Sequence, residues 1–138
     1  MRGGSLKFLD TNILVYEWDE RDPGKQEIAR KLVRDTGGEG VISSQVLQEF
    51  AAVMRSKLRA SPAQIRSILA SYRGFYFVHV DFEMVELALE SAEEHGLNFW
   101  DSLIVEAAAR AGCKTLYTED LSAGQTVRGV KIANPFAR

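Results

Sequence analysis

The stretch "KFLDTNILVYEW", Lys7 to Trp18, sets one carboxylate between two apolar runs. Leu6, Phe8 and Leu9 precede Asp10; Ile13, Leu14, Val15 and Tyr16 follow it, with Thr11 and Asn12 alongside. The first run reads as a short buried strand and the second as a helix over about residues 11–17. Asp10 therefore stands where a strand ends and a helix begins. As a helix N-cap it needs no further role.

The same alternation continues along the chain. "RDPG" (Arg21 to Gly24) is a break, and a helix is predicted over 25–36 with Ile28, Ala29, Leu32 and Val33 on one face. Gly37 and Gly38 stop it. "GVIS" is a second strand, followed by a helix over 44–57 that buries Val46, Phe50, Val53 and Met54. Ser61, Pro62 and Gln64 form a capping-box pattern ahead of Ile65, Ile68, Leu69 and Tyr72. "FYFVHV" (Phe75 to Val80) is a third strand. Asp81 can cap a helix bearing Val85, Ala88, Leu89 and Ala92, which ends at Gly96. Another helix starts near Trp100 and carries Leu103, Ile104, Ala107, Ala108 and Ala111 on one face, up to Gly112. "KTLYT" is a fourth strand and "VKIANP" a short fifth. Such alternation implies an α/β fold: a central, mainly parallel sheet of four to five strands with helices on both faces. Ligands in these folds gather beyond the carboxyl ends of the strands.

The 138 residues fit one domain, 1–138. Residues 1–5, with "GGS" at Gly3 to Ser5, read as a cloning remnant or a disordered start and are set aside. No apolar run approaches the roughly 20 residues of a membrane span, and no signal-peptide core is visible. A lone Cys113 and the lack of a Cys/His cluster argue against a disulfide or zinc and fit a reducing cytoplasm. Net charge is −2, which argues against a general nucleic-acid binder. Its distribution says more. Between Glu49 and Asp81 there is no acid, yet Arg55, Lys57, Arg59, Arg66 and Arg73 lie there. Five of the 17 basic side chains are thus in this segment, which leaves 12 against 19 acids elsewhere, a balance of −7. The segment reads either as solvated helix faces or as a phosphate-contacting rim.

Four acids share one kind of position. Asp10 and Asp120 follow strands, Asp101 opens a helix and Glu49 sits early in one. Each has an ordinary explanation as a cap, a helix-start acid favoured by the dipole, or a surface group. Together they can face one carboxyl edge of the sheet. Clustered carboxylates repel unless protons or a cation compensate. Hard oxygen donors favour Mg²⁺ or Mn²⁺ over zinc, and such a site suits metal-assisted attack on a phosphoryl group.

With "FLDTNILVY", "SSQVLQEF", "FWDSLIVEAA" and "LYTEDLSAGQ" followed by "VKIANPF" in this order, the chain resembles the PIN-domain ribonucleases, and among them the VapC-type toxins of toxin–antitoxin pairs. The resemblance spans nearly the whole length and implies a three-layer α/β/α sandwich. It implies that Asp10, Glu49, Asp101 and Asp120 form a catalytic, metal-binding acidic quartet, with Asn12 and Thr118 orienting them or the water. It also implies Mg²⁺- or Mn²⁺-dependent RNA cleavage, a homodimer, and an antitoxin that covers the acidic cleft. Glu119 adjoins Asp120, and either can supply the fourth ligand; the family's Thr-x-Asp spacing favours Asp120. Arg55, Lys57 and Arg59 are the expected RNA backbone contacts, on a segment that can equally be a dimer or antitoxin surface.

Other readings stay open at this level. A PIN-fold RNA-processing nuclease without an antitoxin would have identical residue chemistry. A non-catalytic binding module on the same fold is a third reading, which retention of all four acids disfavours. An aspartate-phosphorylating phosphatase needs a second Asp two positions after the first, where this chain has Asn12. Trp18, Trp100, Tyr72 and Phe75 to Phe77 read as core or interface rather than as base-stacking platforms. Cys113 reads as a small buried apolar residue.

Overall fold

A computed structural model describes residues 5–137; residues 1–4, most of the stretch set aside above, lie outside the described residues. Among these residues the strands are β1 (Lys7–Leu9), β2 (Gly40–Ser43), β3 (Tyr76–Val78), β4 (Thr115–Tyr117), β5 (Thr126–Val127) and β6 (Val130–Ala133). The helices are α1 (Thr11–Tyr16), α2 (Pro23–Thr36), α3 (Ser44–Ser56), α4 (Pro62–Ser71), α5 (Phe82–His95) and α6 (Phe99–Arg110). The strands form one sheet in the order β3-β2-β1-β4-β6-β5. All pairings are parallel except β5 with β6. With helices flanking the sheet, this is the three-layer α/β/α arrangement.

Chain order explains where a site can form. From β1 the chain moves outward through β2 and β3, then returns to place β4 on the other side of β1. The gap between β1 and β4 is therefore the switch point, where crossovers diverge and a crevice opens beyond the carboxyl ends. The strands are short and apolar. Phe8, Leu9, Val41, Ile42, Leu116 and Ile132 are all fully buried or nearly so.

Local chemistry sets the helix starts. Asp10, Asp22, Ser43, Ser61, Asp81 and Asn98 each cap a helix, and Ser61 with Gln64 completes the expected capping box. α1 packs on α2 and α3, α3 on α4, and α5 on α6. No helix of the described residues is long and apolar enough to cross a membrane.

Three expectations need correction. The sheet has six strands rather than four to five, because β5 and β6 form a tight hairpin. Its two linking residues, Arg128 and Gly129, both have positive φ (54° and 78°), as such a turn requires. Arginine is a poor sequence signal for that turn. Here its guanidinium is held by the buried Glu106 of α6, at 3.0 and 3.2 Å. Second, α5 is rotated from the predicted face: Met84, Ala88 and Ser91 point inward, while Val85, Leu89 and Phe82 are exposed. Third, Ile28 of α2 is exposed and Ala29 carries the burial.

Gly40 opens β2 beneath Phe75. A Cβ there would meet the Phe75 ring at 2.6 Å, and that ring is itself stacked at a tilt on Tyr72, 5.6 Å between centroids. Gly40→Ala is expected to lower stability by about 1–3 kcal/mol through overpacking. Denaturant titration checks this, and an unchanged midpoint would mean that Phe75 has room to swing aside.

Candidate active site

Register brings the first group together. Leu9 of β1 lies opposite Tyr117 of β4, so the next residues, Asp10 and Thr118, leave the sheet side by side. The backbone ladder continues through them: Asp10 N–H donates to the Tyr117 carbonyl and Thr118 N–H to that of Ala133. The Asp10 side chain is 5% exposed. It accepts the Thr11 N–H at 2.7 Å and the Thr118 hydroxyl at 2.8 Å. In the first turn of α1, the Asn12 amide donates to Asp120 Oδ2 at 3.0 Å and to Thr118 Oγ1 at 3.4 Å.

Two further acids come from other elements. Glu49 lies in α3, and the Thr11 hydroxyl donates to its Oε1 at 2.9 Å. Asp101 lies in the first turn of α6. Asn98 is the cap there, accepting the Asp101 N–H at 2.9 Å and donating its amide to Asp101 Oδ2 at 2.7 Å. Asp101 is thus not spent on capping. Gln45 of α3 donates to the Trp100 carbonyl at 3.2 Å and ties α3 to the start of α6. Asp10, Asn12, Glu49, Asp101 and Asp120 all line one cleft of about 520 Å³.

The charges feel one another. Burial pushes the Asp10 carboxyl up to about 7 despite its two hydrogen bonds, and the charges of Asp120 and Glu49 push it the same way. Asp101 is also raised, first by burial, with the Asn98 bond opposing and Asp120 and Glu49 adding to the rise. The ionisable side chains lining the cleft are carboxylates apart from Tyr16, Arg21 and Lys57; no His or Cys lines it. The Asn12 side-chain carbonyl oxygen is buried with no hydrogen-bond partner. These are hard oxygen donors, which fit Mg²⁺ or Mn²⁺. Among the described residues no three acids or imidazoles are gathered into a ready ligand cluster. An open acidic basin of this kind suits Mg²⁺, which keeps several waters and takes few protein ligands.

Glu119 also lines the cleft, but it has other partners. Its carboxylate accepts the Tyr16 hydroxyl at 2.7 Å and pairs with Lys25 at 2.8 Å. Lys25 in turn sits over the rings of Tyr16 and Phe136. Of the three expected RNA contacts, Lys57 lines the cleft. Arg55 donates to the Ala60 carbonyl across the α3–α4 turn, and neither it nor Arg59, in that turn with φ 56°, is among the lining residues. Sequence reading misses Arg21, which lines the cleft with its guanidinium held on Asp19 at 2.8 and 2.9 Å. Its signal lies in the acidic and basic run "DERD", which reads only as a break. Trp100 also lines the cleft and is 61% exposed, not in the core. Cys113 is buried, as expected of a small apolar residue, and burial pushes its thiol up to about 12.

The chain belongs to the PIN-domain family, whose profile matches residues 7–126. Comparison with curated proteins finds no match. Solved structures share the fold. VapC20 of Mycobacterium tuberculosis, a sarcin-ricin loop cleaving toxin, aligns with a TM-score of 0.67 at 19% identity, over 83% of this chain and 89% of that one. A toxin–antitoxin complex from Klebsiella pneumoniae gives 0.72 at 18%, over 94% and 98%. VapBC2 from Rickettsia felis, bound to a promoter DNA fragment, gives 0.64 at 22%, again over 94% and 98%.

The raised Asp10 has a consequence for stability without divalent ions. Its ordinary value is 3.8 and its folded value about 7, so the folded state holds the proton more tightly. Stability should therefore fall as pH rises from about 4 through about 7, then level off. In a chelator, Asp10→Asn is expected to be more stable than the parent at about pH 8, by up to about 4 kcal/mol, and to lose that advantage toward about pH 4. Urea unfolding at the two pH values checks the sign. Equal stabilities throughout would mean that Asp10 ionises as it does in water.

Proposed function

We propose that this chain is a metal-dependent endoribonuclease, cutting RNA phosphodiester bonds with an activated water, and that it is the toxin of a VapBC-type pair. One observation carries the reading: Asp10, Glu49, Asp101 and Asp120, from four separate elements, line one cleft at the switch point of the sheet. Such a concentration of charge is costly in an empty site and useful in one that takes a cation.

Asp10, Asp101, Asp120 and Glu49 would hold Mg²⁺ or Mn²⁺. A bound ion supplies charge neutralisation to the phosphoryl group and makes water a better nucleophile. The rest falls to this chain's own groups. Thr118 and the Thr11 N–H fix the Asp10 carboxylate. Asn12 fixes Asp120, and Thr11 fixes Glu49. Lys57, at the cleft, offsets part of the repulsion that an acidic basin exerts on RNA, while Arg21 is paired with Asp19. Lys25 and Tyr16 hold Glu119 in an ion pair, which leaves Asp120 as the fourth acid.

The toxin assignment draws support from the solved structures of this fold that are toxins or toxin–antitoxin complexes. An antitoxin and a homodimer are the partners proposed. The exposed Phe82, Val85 and Leu89 on α5 are consistent with a protein surface there.

Purified protein with Mg²⁺ or Mn²⁺ should cleave RNA to products with 5′-phosphate ends, and a chelator should abolish this. Asp10→Asn, Asp101→Asn and Asp120→Asn should each lower the rate on the order of 100-fold or more while leaving the fold intact. Thr118→Val should cost roughly 10- to 100-fold by releasing Asp10, and Glu119→Gln less than Asp120→Asn. Parent rates in the Asp10 and Asp101 variants would refute the site. Growth arrest on expression, relieved by an adjacent gene product, would separate a toxin from an RNA-processing nuclease.

A further inference from the structure

Two aromatic side chains line the cleft: Tyr16, which is engaged by Glu119 and Lys25, and Trp100. Trp100 stands at the second position of α6, immediately before Asp101, and is 61% exposed. Its place is fixed on two sides. The Phe99 ring, itself packed on the core, meets it edge-to-face at 5.1 Å and 71°. Its carbonyl is held by Gln45 from α3. The other tryptophan is differently employed: Trp18 donates its indole N–H to the Tyr72 hydroxyl and lies beneath Arg30.

A rigid, solvent-facing indole beside carboxylates, Arg21 and Lys57 suits one ligand chemistry. Unpaired nucleobases stack on exposed aromatic rings while their phosphates seek cations, and stacking tolerates any base because each has a π-face. An antitoxin that covers the cleft would meet the same indole, but the Lys57 ammonium lining the cleft suits an RNA phosphate, and a binding titration separates the two. We infer that Trp100 is the platform on which an unpaired RNA base stacks, at the edge of the carboxylate cleft. The inference rests on the ribonuclease reading and deepens it by naming the residue that holds a base beside the cut. A base held inside a duplex cannot reach the indole without leaving its own stack.

The test is binding rather than turnover. In an Asp10→Asn background with Mg²⁺, which holds the chemistry off, a fluorescently labelled single-stranded RNA of mixed sequence is titrated and followed by anisotropy. Adding Trp100→Leu should weaken binding by roughly 5- to 100-fold, the worth of one stacked base. Trp100→Phe should recover most of it. In a series of RNAs with one abasic position moved along the strand, one member should bind equally well with and without the Trp100→Leu change. A fully duplex RNA should show no dependence on Trp100. Unchanged affinity in Trp100→Leu, or a loss that no abasic position removes, overturns the inference while leaving the ribonuclease reading intact if the protein with Asp10 restored still cleaves. A loss confined to binding a co-purified protein assigns Trp100 to a protein interface and likewise overturns it. Failure of the parent to bind or cut any RNA sinks both readings together.

Discussion

The Thr118 hydroxyl is fully buried and serves three neighbours at once. It donates to Asp10 and accepts from the Asn12 amide and the Asp120 N–H. A hydroxyl has one proton and two lone pairs, so this is its full capacity. Those bonds join the end of β1, the first turn of α1 and the turn after β4. The meeting depends on register alone. Leu9 faces Tyr117, so Asp10 and Thr118 emerge as neighbours. A one-residue slip of β4 would send Thr118 to the opposite face of the sheet and leave Asp10 buried without its main hydroxyl partner. Apolar flanks therefore serve the carboxylate: Phe8, Leu9, Leu116 and Ile132 bury completely and lock that register.

Much of this is legible in the chain because caps and strand ends are local. Asp10 reads as an N-cap, and it caps α1 with one oxygen while the other accepts the Thr118 hydroxyl where the residue lines the cleft. Asn98 is available as the cap of α6, and its use there frees Asp101. What stays hidden depends on side-chain direction or on distant partners. Phe99 and Trp100 look alike in sequence, yet one packs on the core and the other lines the cleft. Apolar spacing on α5 admits two faces that share Ala88, and packing on α6 buries Met84 with it rather than Val85 and Leu89. The β5–β6 hairpin hinges on an arginine in a left-handed turn, stabilised by a glutamate 22 residues away.

Charge placement follows the same division. A basic segment is visible as composition, but which of its members reaches the cleft is decided by where α3 ends. Lys57 caps that end and lines the cleft, while Arg55 turns to the Ala60 carbonyl. Glu119 and Asp120 are adjacent in sequence and opposite in circumstance. Lys25, from the first turn of α2, takes Glu119 into a pair with Tyr16. That leaves Asp120 held by Asn12 from the site side. A lysine 94 residues away thus gives Glu119 a partner of its own, a distinction that no local pattern carries.

The acids also differ in how firmly they are held. Asp10 is locked by two short hydrogen bonds inside the fold, and its burial resists ionisation. Glu49, Asp101 and Asp120 each accept a single side-chain bond among those described and stand on the cleft wall. A rigid inner carboxylate with looser outer ones gives a defined anchor without a closed cage. On the reading proposed above, that openness has a chemical reason. An Mg²⁺ held by Asp10 and the outer acids would keep several of its waters, and an open basin leaves room for them. A cation in the basin offsets both the burial and the mutual repulsion that hold Asp10 and Asp101 above their ordinary range. On that reading, the electrostatic cost of folding the empty site would be returned as affinity for a cation.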